Sequence, residues 1–295
     1  MKISGERSMK KSDIKHQSLR WDELTPKAFL KLRKEAKGVC VLPVASIEQH
    51  GGHLPLGTDS WVAEEVCRRA GAIEPMMIFP VLRFGVNGEA TAYPGAIALR
   101  TEVLFELLTN LCDEIARNGF NKILLYSTHG GNAYGLPFFV QQWATIPRDY
   151  MVYYFTFGYH LATPPRALTV SQQQRPSAHG GVFETSAVMS ARPDTVCLDE
   201  QFPEEYAKKL GCLEHLMKLG IYTAVNYYSN FPNHWAGLPT GACPEAGEEI
   251  LDERAQKLAE VVRAIKADTI APRLMAEFRK RASAGGTMLI RHSRK

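Results

Sequence analysis

Two stretches of the chain concentrate side chains able to hold a cation or move a proton. The first is Glu48-Gln49-His50-Gly51-Gly52-His53, followed through Leu54-Pro55-Leu56-Gly57-Thr58 by Asp59. The second is Thr128-His129-Gly130-Gly131-Asn132. Glu48 and His50 are two residues apart, so in an extended segment both side chains leave on one side. Asp59 follows a Gly-Thr turn at a helix start, where capping is the ordinary work of Asp. The glycines at 57, 130 and 131 let the backbone come close to an ion. Imidazoles mixed with carboxylates, with no thiolate nearby, suit Zn, Mn or Fe rather than a structural Cys-zinc site. A carboxylate bridging two ions would also permit two-metal hydrolysis. A lone buried His is more often structural than a ligand. The case therefore rests on Glu48, His50, Asp59 and His129 together.

A third stretch, Ala178-His179-Gly180-Gly181-Val182-Phe183-Glu184-Thr185-Ser186, leads into an apolar helix. Ser177 or Thr185 with Glu184 also fits plain helix-start chemistry. In this Gly-containing segment Glu184 fits a fifth ligand and proton-transfer group, and His179 an acid/base. Arg175, just upstream, is able to pair with a substrate carboxylate, although a solvated loop Arg is the simpler reading. His53 reads as support for the centre rather than as a ligand. Tyr93, His160, His234 and Trp235 fit either the pocket or a subunit interface.

These stretches need elements to position them. Val39–Ile47, Met76–Leu82, Lys122–Thr128 and Tyr150–Phe157 read as strands. Helical patterns cover Asp59–Ala72, Thr101–Asn118, Tyr134–Thr145, Glu204–Leu219, Glu245–Lys266 and Ala271–Arg281. Short β-rich runs separated by such helices imply crossovers and a parallel sheet covered on both faces. The expected architecture is one α/β domain over residues 19–281, with basic tails at 1–18 and 282–295. The first two stretches then fall beyond strand ends, where open parallel sheets bind ligands.

Read together, the three stretches resemble the creatininase (creatinine amidohydrolase) family. The pattern P-x-G-S-x-E-Q-H-G-P-H-L-P-L-x-T-D is similar to Pro43 through Asp59, N-G-H-G-G-N to Ser127 through Asn132, and H-A-G-x-x-E-T-S to His179 through Ser186. Weaker echoes are Tyr93-Pro94-Gly95 and Gly237 through Ala242. The resemblance implies a three-layer α/β/α fold, a dinuclear Zn or Mn centre (Fe being the third candidate) and a homo-oligomer, often a hexamer. It implies Glu48, His50, Asp59, His129 and Glu184 as ligands, with Asp59 bridging, and His179 as proton shuttle. The implied chemistry is cleavage of an amide-type C–N bond of a small molecule by a metal-held hydroxide. Creatininase places a Tyr and a Glu where this chain has Gly130 and Gly131, and sets Trp rings over its substrate. Ser171–Ala178 holds no Trp. The resemblance is thus to the family rather than to creatininase itself, and Glu184 takes the place of the missing carboxylate. Gly130, Gly131, Asn132, Tyr93 and Arg175 are the substrate-side candidates. A deformylase, a peptide-tail hydrolase or a lactonase on the same fold are the alternatives, and a metal-binding scaffold is the non-catalytic one.

Composition agrees with a globular protein: 295 residues, 45% hydrophobic and 22% charged. The cysteines (Cys40, Cys67, Cys112, Cys197, Cys212, Cys243) are scattered and read as reduced thiols of a cytoplasmic protein. No apolar run reaches the ~18 residues of a membrane span. The termini carry +10 against a net charge of +4, which leaves about −6 on residues 21–278. Solvated tails are therefore favoured over a nucleic-acid contact.

Overall fold

The computed structural model describes residues 18–157, 165–173 and 178–288. Arg175, His160, residues 1–17 of the N-terminal tail and residues 289–295 of the C-terminal tail lie outside those residues. Four strands, β1 (Val39–Val44), β2 (Met77–Ile78), β3 (Lys122–Ser127) and β4 (Met151–Thr156), form one parallel sheet in the order β2-β1-β3-β4. β1 pairs with β3 from Val39 opposite Lys122 to Val44 opposite Ser127, and β3 pairs with β4 over the same length.

Parallel neighbours need crossovers, and helices supply them. Helix α1 (Pro26–Glu35) precedes β1, α2 (Thr58–Ile73) joins β1 to β2, α3 (Thr101–Arg117) joins β2 to β3, and α4 (Asn132–Gln141) joins β3 to β4. The short α5 (Val170–Gln173) leads to α6 (Val182–Ala191), then come α7 (Glu214–Met217) and α8 (Asn226–Asn230), and the long α9 (Pro244–Ala267) and α10 (Ile270–Ser283) follow.

Side-chain alternation along the strands builds the layers. Val39, Val41, Leu124 and Tyr126 pack with residues of α2, α6 and α9. Cys40, Leu42, Val44, Ile123 and Leu125 pack on the opposite face with Leu32 of α1, Leu104 and Leu108 of α3, and Leu136 and Phe139 of α4. Both faces are dry, which is why β1 and β3 are continuous apolar runs. The result is the expected α/β/α sandwich.

Two elements differ from the sequence expectation. β2 is two residues long because the pairing slips by one residue. Phe79 N–H donates to the Val41 carbonyl at 2.8 Å, but the next donor to β1 is Leu82, whose N–H reaches Pro43 O at 2.9 Å, so Leu82 rejoins β1 only as an isolated bridge to Val44. The helix expected over Glu204–Leu219 is a 3-10 turn at Glu204–Ala207 and then α7. Gly211 breaks it at φ +70°, and its side chains are mostly exposed, so no packed face stabilises a longer helix.

A buried cation ties the sheet to α9. Lys122 Nζ donates to the carbonyls of Ile265, Lys266 and Asp268 at 2.8, 3.0 and 2.7 Å, closing the helix C-terminus. Lys122→Met should leave those carbonyls unpaired and cost about 2–4 kcal/mol, read as a lower urea midpoint at unchanged m-value.

Candidate metal centre

The chemistry-bearing residues gather beyond the carboxyl ends of β1 and β3. After β1 the chain leaves the sheet, and Glu48, Gln49 and His50 sit in irregular backbone. Gly57 holds the N-cap position of α2, so Asp59 lies inside the first turn and is free of capping duty. His129 follows β3 and precedes α4, while Glu184 lies in the first turn of α6, with His179 just before it. Thr128 Oγ1 donates to the Asp59 carbonyl at 2.9 Å, joining two of the stretches. Asn132 is spent on structure: Nδ2 donates to Val44 O and Ser127 Oγ (3.1 and 3.0 Å), and Oδ1 accepts from Val86 N–H (2.9 Å).

The proton positions follow from the backbone. His129 Nε2 lies 2.9 Å from the Val86 carbonyl, which only accepts, so this nitrogen carries the proton. Nδ1 then faces Glu48 Oε1 at 2.8 Å and Asp59 Oδ2 at 3.2 Å. His50 repeats the arrangement. Its Nδ1 donates to the Glu48 carbonyl at 3.2 Å, and Nε2 faces Asp59 Oδ1 at 3.4 Å, with Glu48 Oε1 and Glu184 Oε2 each at 3.9 Å. Each neutral imidazole therefore turns a bare nitrogen on carboxylate oxygens. Lone pairs so placed repel unless a proton or a cation lies between them. His50 Nε2 and Asp59 Oδ2 are buried without a hydrogen-bond partner, so the donor set fits a cation.

The electrostatics say the same. Burial would lower His50, but Asp59, Glu184 and Glu48 outweigh it and push it up to about 9. His129, also buried, is held well above its ordinary value by Glu48 and Asp59. Burial would raise Glu48 and Asp59, yet the imidazoles hold both below the usual carboxylate range. Burial raises Glu184, against the pull of His50 and of Gly180 N–H, which donates to its Oε2 at 2.7 Å. His179 is pulled down to about 3 by burial and by His50, whose ring centroid is 4.1 Å away. Its Nε2–H is fixed on the Gln49 carbonyl at 2.7 Å, which leaves Nδ1 bare. Three groups here have the spacing to hold a metal ion: Glu48, Asp59 and His129; His50, His179 and Glu184; and Glu48, His179 and His234.

The substrate-side candidates are placed variously. Tyr93 donates its hydroxyl to the Pro232 carbonyl at 3.0 Å and lays its ring 4.6 Å from His234. A Cβ on Gly131 would meet Val86 O at 2.1 Å, His129 Nε2 at 2.6 Å and Glu89 Oε1 at 2.9 Å, so no larger residue fits there. Gly130, beside it, is only partly buried. One neighbour of the cluster carried no readable signal and another only a weak one. Glu89 is a single carboxylate in a Gly/Ala loop, raised by burial. His234 was visible only as a His within an aromatic stretch, yet its Nε2 lies 3.1 Å from Glu48 Oε2.

A parallel α/β/α sandwich with buried carboxylates and imidazoles beyond its strand ends defines a protein with a site able to hold metal ions. The family model for creatininase, described as creatinine amidohydrolase, matches residues 22–262, and the chain belongs to that family. The chain is 29% identical over 184 residues to creatinine amidohydrolase of Pseudomonas putida, covering 56% of this chain and 69% of that protein. It is 30% identical over 229 residues to the mycofactocin precursor peptide peptidase of Mycolicibacterium smegmatis, covering 76% of this chain and 83% of that one. A solved mutant creatininase of Zn–Zn type shares the fold, with TM-score 0.64 and 23% identity over 85% of this chain and all of that one. No helix among the described residues is long and apolar enough to cross a membrane.

Protonation of the metal-free cluster has a measurable consequence. His50 sits at about 9 in the folded chain against an ordinary 6.5, so its charged form stabilises the fold fully below pH 6.5. That stabilisation is lost as pH rises through 9. Chelator-treated protein should therefore unfold at progressively lower temperature between pH 6.5 and 9. Loading a divalent ion at pH 7.5 should release protons, read as a dependence of the calorimetric heat on buffer ionisation enthalpy. A pH-flat melting temperature together with no proton release would contradict this electrostatic account.

Proposed function

We propose that the chain hydrolyses a carbon–nitrogen amide bond of a small molecule at a centre for two divalent ions, zinc or manganese. One observation carries the reading: Asp59 turns Oδ1 to His50 and Oδ2 to His129, as a carboxylate shared by two ions must. In this reading Glu48, Asp59 and His129 hold one ion, and His50, Asp59 and Glu184 hold the other. When bound, such ions polarise the amide carbonyl and lower the pKa of a water towards ~7.

The chain's own residues prepare the rest. The Val86 and Glu48 carbonyls lock His129 and His50 in the tautomers that present bare nitrogens to an ion, so no ring has to turn on binding. His179 is neutral, and its Nε2 proton is committed to Gln49 O. Its Nδ1 is the position able to take a proton from the attacking water and return it to the leaving nitrogen. Burial of the four first-named residues, each no more than 4% exposed, keeps bulk water from screening these charges.

Cleavage of a peptide tail is the second reading, favoured by the peptidase relative, which matches over most of its length. Homo-oligomer assembly belongs to the same proposal. Ile270, Leu274 and Phe278 recur at helical spacing on α10 and are exposed, a face suited to burial against another copy.

Purified protein should carry about two divalent ions per chain by elemental analysis. Asp59→Ala and His129→Ala should lose metal and activity together. His179→Ala should keep both ions while kcat falls by ~10²–10⁴-fold on its amide substrate. Loss of an ion in that variant would make His179 a ligand instead, which its place in two of the ion-sized groups makes a real alternative. Turnover on a panel of small amides, cyclic amides, formamides, lactones and short peptides separates the two readings.

A further inference from the structure

His234 lies on none of the three stretches that form the centre, yet it is 1% exposed and reaches into it. Its backbone adopts φ +51°, a left-handed conformation that persists only where the surroundings impose it. The surroundings do impose it. Gln49 Nε2 donates to the Asn233 carbonyl at 2.7 Å, and Tyr93 Oη to Pro232 O at 3.0 Å. Trp235 Nε1 donates to Gly180 O at 3.2 Å, and Ala236 N–H to His179 O at 2.9 Å. Gln49, His179 and Gly180 come from the stretches that carry the centre, so the loop is stitched to the residues it would serve.

The ring is aimed as firmly as the backbone. Nε2 lies 3.1 Å from Glu48 Oε2, and an ionised carboxylate only accepts, so Nε2–H is the donor. The Tyr93 and His179 rings, each 4.6 Å away by centroid, flank it and block rotation. Glu48 thus has its oxygens assigned separately: Oε1 to the space shared with His129 (2.8 Å), Oε2 to His234. A carboxylate without such a donor is free to swing or to offer both oxygens to one ion. A hydrogen bond on one oxygen selects a single orientation and binding mode.

We propose that His234 is a positioning residue that holds Glu48 in a one-oxygen ligating orientation by donating Nε2–H to Oε2. This rests on the two-ion reading above. Two variants isolate the donor, since both keep a Cβ at the left-handed position: His234→Gln retains an N–H at about the reach of Nε2, and His234→Leu removes it. Zn²⁺ and Mn²⁺ affinities are measured by chelator competition, alongside circular dichroism of the metal-free proteins. His234→Leu should weaken one of the two sites by ~10–100-fold, while His234→Gln stays within a few-fold of the parent. Unchanged affinity in the Leu variant, or equal losses in both, overturns the inference and leaves the two-ion centre standing. A parent protein that binds neither metal overturns the reading and the inference together. Should His234→Leu not fold, ¹⁵N-histidine spectra of the ¹¹³Cd²⁺-loaded parent decide the matter. Cadmium coupling is expected at His50 and His129 and absent at His234, which keeps its Nε2 proton; coupling at His234 would make it a ligand and overturn the positioning role.

Discussion

Three carboxylates buried within reach of one another cannot all remain ionised without positive charge among them. Glu48, Asp59 and Glu184 have side chains 2%, 5% and 14% exposed and converge on His50. Taking each charge out of water costs several kcal/mol after relaxation, and their mutual repulsion adds to it. The imidazoles offset this in the metal-free chain by holding extra protons, which is why His50 and His129 are pushed up while Glu48 and Asp59 are held down. A pair of divalent cations would meet the same demand with more charge in less space. Much of the local structure, from the glycines to the carbonyls that fix each tautomer, follows from accommodating that charge.

The sheet order explains why the demand arises where it does. From β1 the chain crosses to β2 on one side, and then to β3 on the other side of β1. Crossovers that diverge in this way open a crevice between β1 and β3 at their carboxyl ends. Glu48 and His50 leave β1 there, and His129 leaves β3. Asp59 opens the first crossover helix, and α6 brings Glu184 from the layer that packs on α2 and α9. Residues far apart in the chain meet without strain in any strand, because β1 and β3 are held by an unbroken six-residue register.

What was legible in the sequence was what repeats or clusters locally. The apolar runs of β1 and β3 and the amphipathic pattern of α3 and α9 each carry their own signal. The structure places β3, α3 and α9 within one residue of expectation, while β1 starts at Val39 as expected and ends at Val44, three residues early. The candidate ligands were legible because they crowd into three short stretches. Orientation was not. Whether Asp59 caps a helix or points inward depends on Gly57 holding the N-cap, which composition does not reveal. His234 meets Glu48 across 186 residues of chain, and no local pattern encodes that pairing. The failed helix over Glu204–Leu219 is the converse case, a helical composition that finds no surface to pack against.

Gly131 shows how one position links the centre's departures from creatininase. Any side chain there would collide with the Val86 carbonyl, the same atom that accepts from His129 Nε2. Closing the Val86–Glu89 loop onto β3 therefore fixes the His129 tautomer and excludes a carboxylate at 131 in a single packing choice. In the proposed centre the missing carboxylate must then arrive from another element, and Glu184 is the one in range, its Oε2 3.9 Å from His50 Nε2. Gly180 N–H steers it, and Gly180 itself stands at φ +70°, with Trp235 and the His50 backbone too close for any Cβ. Glu184 is also the most exposed of the three carboxylates, and with His179 it is the least buried member of the proposed centre. In the proposed function a substrate would therefore meet His179 before Glu48, which is sealed at 1% exposure, as is His234.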